Sequence, residues 1–213
     1  LESQPCGFKD YANIAYPGSE KAALDPEMGD MNTTLVKTAK GRSIMIQHDV
    51  SSPRPYDRIN LLSGTRGIIR DYPYRIALSH KPGEGAHEWF GEDEAQKLRE
   101  KYRHPLWKEA GEFAKVVGGH GGMDFIMNWR LCYCLQNGLP VDMNVYDLAT
   151  WCSVCELSER SVRNRSRTMD IPDFTRGGWK TAKPIDITAV DLGKMGFASD
   201  AEIKRDPSQL KIG

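Results

Sequence analysis

The sequence predicts an α/β protein of the α+β kind, built on an open, mostly antiparallel sheet. Two observations lead to this fold class. Segments between residues 31 and 78 are short, rich in β-branched residues and separated by glycine turns, which is typical of strands joined by hairpins. Segments between residues 92 and 163 are longer, and their apolar residues recur at helical spacing.

Composition limits the classes of function. Of the 213 residues, 39% are hydrophobic and 27% are charged, so a packed core is feasible. The 29 Lys and Arg residues equal the 29 Asp and Glu residues, which argues against a chain that grips nucleic acid or an anionic membrane. No apolar run approaches the roughly 20 residues of a membrane span. Neither an initiator methionine nor a signal peptide opens the chain, so we expect it to be cut from a longer one.

The first strands follow an irregular lead-in, residues 1–30, with a short predicted helix near Ser19–Leu24. Asn32–Thr38 and Arg42–Val50 predict a hairpin around a Lys-Gly turn. We place the main domain at residues 31–183 and an extended tail at residues 184–213.

The second strand of this hairpin has Ile44, Ile46 and His48 on one face, because side chains alternate with period two. His48 therefore ends an apolar row, either as a rim histidine or as a site residue.

The two prolines of Ser51–Asp57 exclude it from a strand interior and predict a stiff loop that fixes Tyr56 in place. Three further short strands are predicted at Arg58–Ser63, Gly67–Asp71 and Tyr74–Leu78.

The helical half of the chain follows a surface loop at Lys81–Gly91. A polar helix is predicted over Glu92–Arg103, with acidic residues in its first turn and basic residues in its last. His104–Trp107 is expected to break that helix and to pack its tryptophan onto the sheet. Met123–Gln136 is apolar almost all round and is expected to be buried, whereas Val145–Val162 has one apolar stripe.

The cysteines invite a zinc hypothesis, because a Cys-x-Cys is followed by a Cys-x-x-Cys. They are Cys6, Cys132, Cys134, Cys152 and Cys155. Both pairs lie inside helical patterns rather than on knuckle turns. We interpret them as small hydrophobic core residues, with the last two on the apolar stripe, and expect no metal site. The odd count argues against a disulfide framework.

The sequence contains no Gly-x-Gly-x-x-Gly, P-loop, Gly-x-Ser-x-Gly or His-Glu-x-x-His motif, and no obvious carboxylate pair. The remaining candidate site residues are polar side chains on loops beside the strands: His48, Arg54, Tyr56, His120 and Asp124. Tyr56 is either pre-organised for a ligand or packed over a sheet edge. His120, enclosed by four glycines before a helix, is either presented to a ligand or held in a tight turn. For both, the residues alone favour the structural alternative.

Long runs of the sequence nevertheless resemble a known family. They are GGHGGMDFIMNWRLCYCLQNGLPVDMNVYDLATWCSVCELSERSV followed by PDFT, QHDVSSPRPYDRINLLSGTRG, and HPLWKEA. In these runs the chain is similar to the C-terminal part of glycoside hydrolase family 109. The members of that family are NAD-dependent α-N-acetylgalactosaminidases of the Gfo/Idh/MocA superfamily. The resemblance covers roughly Asp30 to Lys183. It implies an open sheet with helices packed on one face, preceded by an N-terminal Rossmann domain that mainly binds NAD and is absent from this chain.

The resemblance also implies residue roles. Tyr56 becomes a sugar-binding residue, which reverses the preference above. His120 is placed near the sugar or the nicotinamide, and His48 with Asp49 near the same site. The catalytic base is expected upstream of Leu1, so the isolated chain is expected to be inactive.

The implied substrates are α-N-acetylgalactosaminide glycans, hydrolysed with retention through oxidation at C3 by NAD, elimination, and addition of water. Two alternatives stay open: an NAD(P)-dependent sugar oxidoreductase of the same superfamily, and an oligomerisation or scaffold domain that forms a homo-oligomer through its sheet face. By family habit alone, export to a bacterial periplasm is expected.

Overall fold

The structure is a computed structural model that describes residues 2, 4–26, 28–49, 51–79, 87–185 and 187. Its elements, in chain order, are α1 (Cys6–Ala15), β1 (Met31–Lys37), β2 (Ser43–Asp49), β3 (Asn60–Gly64), β4 (Gly67–Asp71), β5 (Arg75–Leu78), α2 (Glu92–Lys101), α3 (Pro105–Val117), a 3₁₀ turn (His120–Gly122), α4 (Met123–Gln136), α5 (Val145–Arg163) and a second 3₁₀ turn (Gly178–Lys180). Every strand pairing is antiparallel, and the predicted mixed fold class is confirmed.

The strands form two open sheets rather than one. One is the β1–β2 hairpin, and the other has the order β3–β4–β5. The described residues also divide into two units. The first takes its residues from Leu1–Pro55 and Met143–Ala182, and the second from Tyr56–Asp142 and Lys183–Gly213.

In the first unit, β1 and β2 pair over their full length, from Met31 opposite Asp49 to Lys37 opposite Ser43. A hydrogen bond of 2.7 Å between the hydroxyls of Thr34 and Ser158 joins β1 to α5. Ile44 and Ile46 expose 47% and 39% of their surface. The apolar row that ends at His48 is therefore not a core face of this unit.

The lead-in is more ordered than predicted. Ser19–Leu24 forms turns, and the helix lies earlier, at α1. No side chain next to α1 caps it. Instead, Asp30 accepts hydrogen bonds from the backbone N–H groups of Gly7 (2.7 Å) and Phe8 (3.1 Å), which satisfies two free donors of the first turn.

In the second unit, the core lies between α3 and α4. It consists of Leu106, Ala110, Ala114, Ile126 and Trp129, with Trp107 and Phe125 packed against it. Three of its members are large apolar side chains whose burial stabilises this unit by about 1.5–3 kcal/mol each. The small alanines allow the two helix backbones to approach closely.

The predicted break at His104–Trp107 is confirmed, since α2 ends at Lys101, and the same segment also starts α3. His104 is the N-cap, since its Nδ1 accepts a hydrogen bond from the Leu106 N–H at 3.2 Å. Pro105 occupies the first helical position. Its missing backbone N–H costs nothing there, because an N–H at that position has no partner within the helix. Trp107 packs against the helical core rather than onto the sheet.

Helices α4 and α5 are less buried than predicted. Five residues of α4 are buried, but its other side exposes Met123, Met127, Leu131 and Leu135. No residue of α5 is buried. Of the four paired cysteines only Cys134 is buried, so their interpretation as core residues is confirmed for Cys134 and wrong for Cys132, Cys152 and Cys155.

Some predicted segments fall outside the described residues: positions 81–86 of the predicted loop at 81–91, and 186 and 188–213 of the predicted tail. Among the described helices, none combines the length and apolar character needed to cross a bilayer.

Candidate functional site

The glycine-rich turn between α3 and α4 is built by positive backbone φ angles. Gly118, Gly119, Gly121 and Gly122 have φ values of +92°, +77°, +69° and +98°, and His120 itself has +48°. Residues with a Cβ are strained at positive φ, which explains why these positions are occupied by glycine. The chain therefore turns from α3 directly into α4 and leaves His120 at the apex.

Two of these glycines are also required by close contacts. A Cβ at Gly122 would lie 2.6 Å from the carbonyl carbon of Ala114 in α3. A Cβ at Gly119 would lie 2.8 Å from the Cβ of Asp124. The missing side chains thus let the turn pack on α3 and let Asp124 approach the turn.

His120 and Asp124 form a dyad. The His120 Nδ1 lies 2.8 Å from Oδ2 of Asp124, and the side chains are 72% and 40% exposed. Since a carboxylate only accepts, Nδ1 carries the proton and Nε2 of the neutral ring is a proton acceptor. Such a pair can take a proton from a ligand at Nε2, or deliver one there, while the carboxylate fixes the ring orientation and tautomer.

Tyr56 lies on the loop before β3, and 73% of its surface is exposed, so it does not pack over a sheet edge. Arg58 donates a hydrogen bond from Nε to the Tyr56 phenol oxygen, which raises the pKa of Arg58. The rings of Tyr56 and Tyr72 meet edge to face, with centroids 6.2 Å apart. An exposed aromatic ring with a polar tip is suited to a sugar, which has apolar C–H faces and hydroxyl groups.

Asp49 and Arg54 belong to the first unit and have a structural role there. The Asp49 side chain is only 3% exposed; it accepts from the N–H groups of Ser51 and Ser52 and pairs with Arg54 at 3.2 Å. The backbone hydrogen bond from Ser52, above all, lowers the pKa of Asp49. These contacts hold the start of the proline loop.

His48 precedes this carboxylate on β2, where it is exposed and pairs in register with Asn32.

The structure thus brings together His120 with Asp124, and Tyr56 with two residues that sequence reasoning missed, Arg58 and Tyr72. A signal for Tyr72 was available in the hairpin pattern. In the register of β3 with β4, Asn60 lies opposite Asp71, the last residue of β4, so Tyr72 directly after it returns alongside the segment that carries Tyr56. No described hydrogen bond or ring contact joins Tyr56 to His120.

The described residues contain no group of three His, Cys, Asp or Glu side chains that could hold a metal ion. They also contain no parallel strand pair of the kind that binds dinucleotides, and the glycine turn joins two helices rather than a strand to a helix.

The candidate site groups are therefore an exposed tyrosine loop and a His–Asp dyad, both carried by a mixed α/β fold. The family model of the glycosyl hydrolase 109 C-terminal domain matches residues 1–181. The chain therefore belongs to glycosyl hydrolase family 109, as its C-terminal domain.

Curated relatives agree with this assignment. The chain is 50% identical over 189 residues to a glycosyl hydrolase family 109 protein of Shewanella putrefaciens (strain CN-32), a match that covers 88% of this chain and 41% of that protein. It is 48% identical over 195 residues to one of Shewanella woodyi, with the same two shares. The chain thus spans about two fifths of the length of these relatives.

Proposed function

We propose that this chain is the substrate domain of a retaining glycosidase that releases terminal α-N-acetylgalactosamine from glycans. The single observation that carries the proposal is the match of residues 1–181 to the family's C-terminal domain. The exposed Tyr56 loop and the His120–Asp124 dyad support it, because they provide groups for sugar binding and for proton transfer without a metal or a carboxylate pair.

In this proposal NAD is bound mainly by a part of the complete protein outside this chain, as the family resemblance implies; this chain spans 41% of the length of its relatives. NAD supplies hydride removal and return at C3 of the sugar. The residues of this chain bind the sugar and exchange protons with it.

We further propose that His120 is the proton-transfer group, a role that the family resemblance led us to expect upstream of Leu1. Its Nε2 faces away from Asp124 and is the unprotonated nitrogen of the neutral ring. Proton transfer by a positioned histidine accelerates reactions by about 10²–10⁴-fold. Asp124 keeps the ring in the tautomer that leaves Nε2 available.

The test uses the complete protein with an aryl α-N-acetylgalactosaminide and follows release of the aryl group together with net formation of NADH. We expect aryl release without net NADH formation. His120→Gln lowers kcat by about 10²-fold or more, and Asp124→Asn lowers it less. His87→Gln, at an exposed histidine outside the site, is the matched control and leaves kcat unchanged.

Net NADH formation in step with sugar consumption would contradict the glycosidase proposal and identify a sugar oxidoreductase. A kcat of His120→Gln within about twofold of the wild type, with aryl release intact, would remove His120 from proton transfer and leave the glycosidase proposal standing.

A further inference from the structure

A small cluster formed by Tyr56, Arg58 and Tyr72 lies next to the open end of the β3–β4 hairpin, before β3 and after β4. Tyr56 and Tyr72 are 73% and 45% exposed, and their rings are inclined at 60° to each other. The Arg58 guanidinium carbon lies 5.8 Å from the centroid of the Tyr56 ring. The Tyr56 phenol is thus exposed to solvent, and the Arg58 guanidinium and the Tyr72 ring lie next to it.

The backbone on both sides of Arg58 is fixed. Asp57 accepts a hydrogen bond from the Ile59 N–H at 2.7 Å and lies 3.9 Å from the Arg70 guanidinium of β4. Ile59 has a φ of +49°, a conformation that a β-branched residue adopts only when its surroundings impose it. Arg58 is therefore held between two constrained residues and directed towards Tyr56.

The hydrogen bond from Arg58 to Tyr56 sets the direction of the Tyr56 phenol proton. A phenol oxygen has one O–H donor and accepts through its lone pairs. Arginine is charged at all relevant pH values and can only donate. Because Arg58 Nε occupies the acceptor side of the Tyr56 oxygen, the Tyr56 O–H is free to donate to a ligand.

We propose that Arg58 is a positioning residue that holds Tyr56 as a hydrogen-bond donor towards an acceptor oxygen of the sugar, with Tyr72 keeping the Tyr56 ring in place. This inference rests on the proposed sugar-binding role of Tyr56. Uncharged acceptor oxygens of a sugar, such as an acetamido carbonyl or a ring hydroxyl, are the ligand atoms that this donor fits.

The experiment measures kcat and KM of the complete protein on an aryl α-N-acetylgalactosaminide for Tyr56→Phe, Arg58→Met and the double variant. Loss of one hydrogen bond to an uncharged partner corresponds to roughly a 3- to 10-fold rise in KM. We expect this rise for both single variants with kcat nearly unchanged. Since Arg58 acts through the Tyr56 oxygen, the double variant shows no further rise.

Arg66→Met is the matched control, because Arg66 is an exposed arginine on the turn of the same hairpin; its KM stays at the wild-type value. Arg58→Lys keeps the charge but lacks the planar guanidinium fork, so its KM lies between the wild type and Arg58→Met.

A second measurement does not depend on turnover. In protein with isotope-labelled tyrosine rings, Arg58→Met shifts the NMR signal that Tyr56→Phe removes, whereas Arg66→Met leaves that signal in place. An unmoved signal would overturn the inference.

The other outcomes separate the two proposals. If Tyr56→Phe raises KM and Arg58→Met does not, the positioning role fails while the sugar-binding role of Tyr56 stands. If the effects of the single variants multiply in the double variant, Arg58 acts independently of Tyr56 and the positioning role is overturned. If neither single variant changes KM, both the positioning role and the assignment of Tyr56 to the sugar site fail.

Discussion

At the scale of single residues, the turn between α3 and α4 depends on two separate properties of glycine. Gly121 needs only its positive φ of +69°, since a Cβ there would meet nothing within 4 Å. Gly122 needs its φ of +98° and also its missing side chain, because a Cβ would lie 2.6 Å from the backbone of Ala114. The two positions therefore separate backbone strain from steric overlap.

We predict that Gly122→Ala destabilises the protein by about 3 kcal/mol, from a left-handed backbone cost of about 1–2 kcal/mol and an overpacking cost of about 1–3 kcal/mol. Gly121→Ala, the control, has only the backbone cost. Urea unfolding followed by circular dichroism measures both changes. Equal destabilisation of the two variants would show that α3 moves away from the turn at no cost.

Sequence reasoning succeeded at residues whose backbone requirement is local and failed where burial depends on a distant partner. The glycines around His120 and the prolines around Tyr56 signalled constrained loops, and both loops are present. The cysteines of α5 lie on an apolar stripe in the sequence, yet both are exposed. Periodicity identifies an apolar face of a helix but not what covers it.

At the scale of elements, neither α1 nor α3 was predicted, because both lack the usual local signals of a helix. The cap of α1 comes from Asp30, more than twenty positions away in the chain, so no local start signal exists. Helix α3 begins with a histidine cap and contains Gly111, which lowers its helix propensity. A Cβ at Gly111 would lie 3.0 Å from the Trp107 ring, so this glycine gives room to an aromatic side chain.

We predict that Asp30 makes the first unit sensitive to acid. Hydrogen bonds from the backbone N–H groups, that of Gly7 foremost, lower the pKa of the Asp30 carboxyl below its ordinary 3.8. A carboxyl with a lower pKa in the folded state contributes stability that is present above its unfolded pKa, and that is lost as pH falls through the folded pKa. Stability should therefore decline below about pH 4.

The measurement is the thermal midpoint of the wild type and of Asp30→Asn between neutral pH and the acid range. Asp30→Asn is less stable at neutral pH, and the difference from the wild type shrinks as acid protonates the carboxylate. A difference that stays constant with pH would contradict the predicted role of the charge.

At the scale of the whole molecule, the described core is small relative to the apolar surface that stays exposed. Five residues form the core cluster between α3 and α4. On the opposite side of α4, Met123, Met127, Leu131 and Leu135 recur every fourth position and are exposed by 43–65%. Exposed apolar patches of this kind are typical of interaction surfaces. The chain also spans only 41% of the length of its relatives.

We predict that the isolated chain binds the dye ANS and self-associates, because the α4 stripe is in contact with water. The paired substitution Met127→Lys and Leu131→Glu adds both charges to the stripe and should reduce dye fluorescence and self-association without lowering the thermal midpoint. Light scattering and dye titration measure the two effects. Unchanged dye binding in this variant would locate the exposed apolar surface elsewhere.

The fold class and the family were predictable, because strand and helix periods and long motif runs are properties of the sequence itself. The separation of the strands into two sheets was not, since the hairpin patterns before and after the proline loop look alike in sequence. Whether they share one ladder depends on hydrogen bonds between distant segments.

The burial of Cys134 has a practical consequence. Its thiol is fully enclosed within α4, while the other four thiols are exposed. A thiol reagent in excess therefore modifies four positions at the rate of solvent-accessible cysteine and reaches the fifth only when the packing around Cys134 opens. The rate of that last modification under native conditions reports the local opening equilibrium at the C-terminal half of α4, and the protein carries this probe without any engineered label.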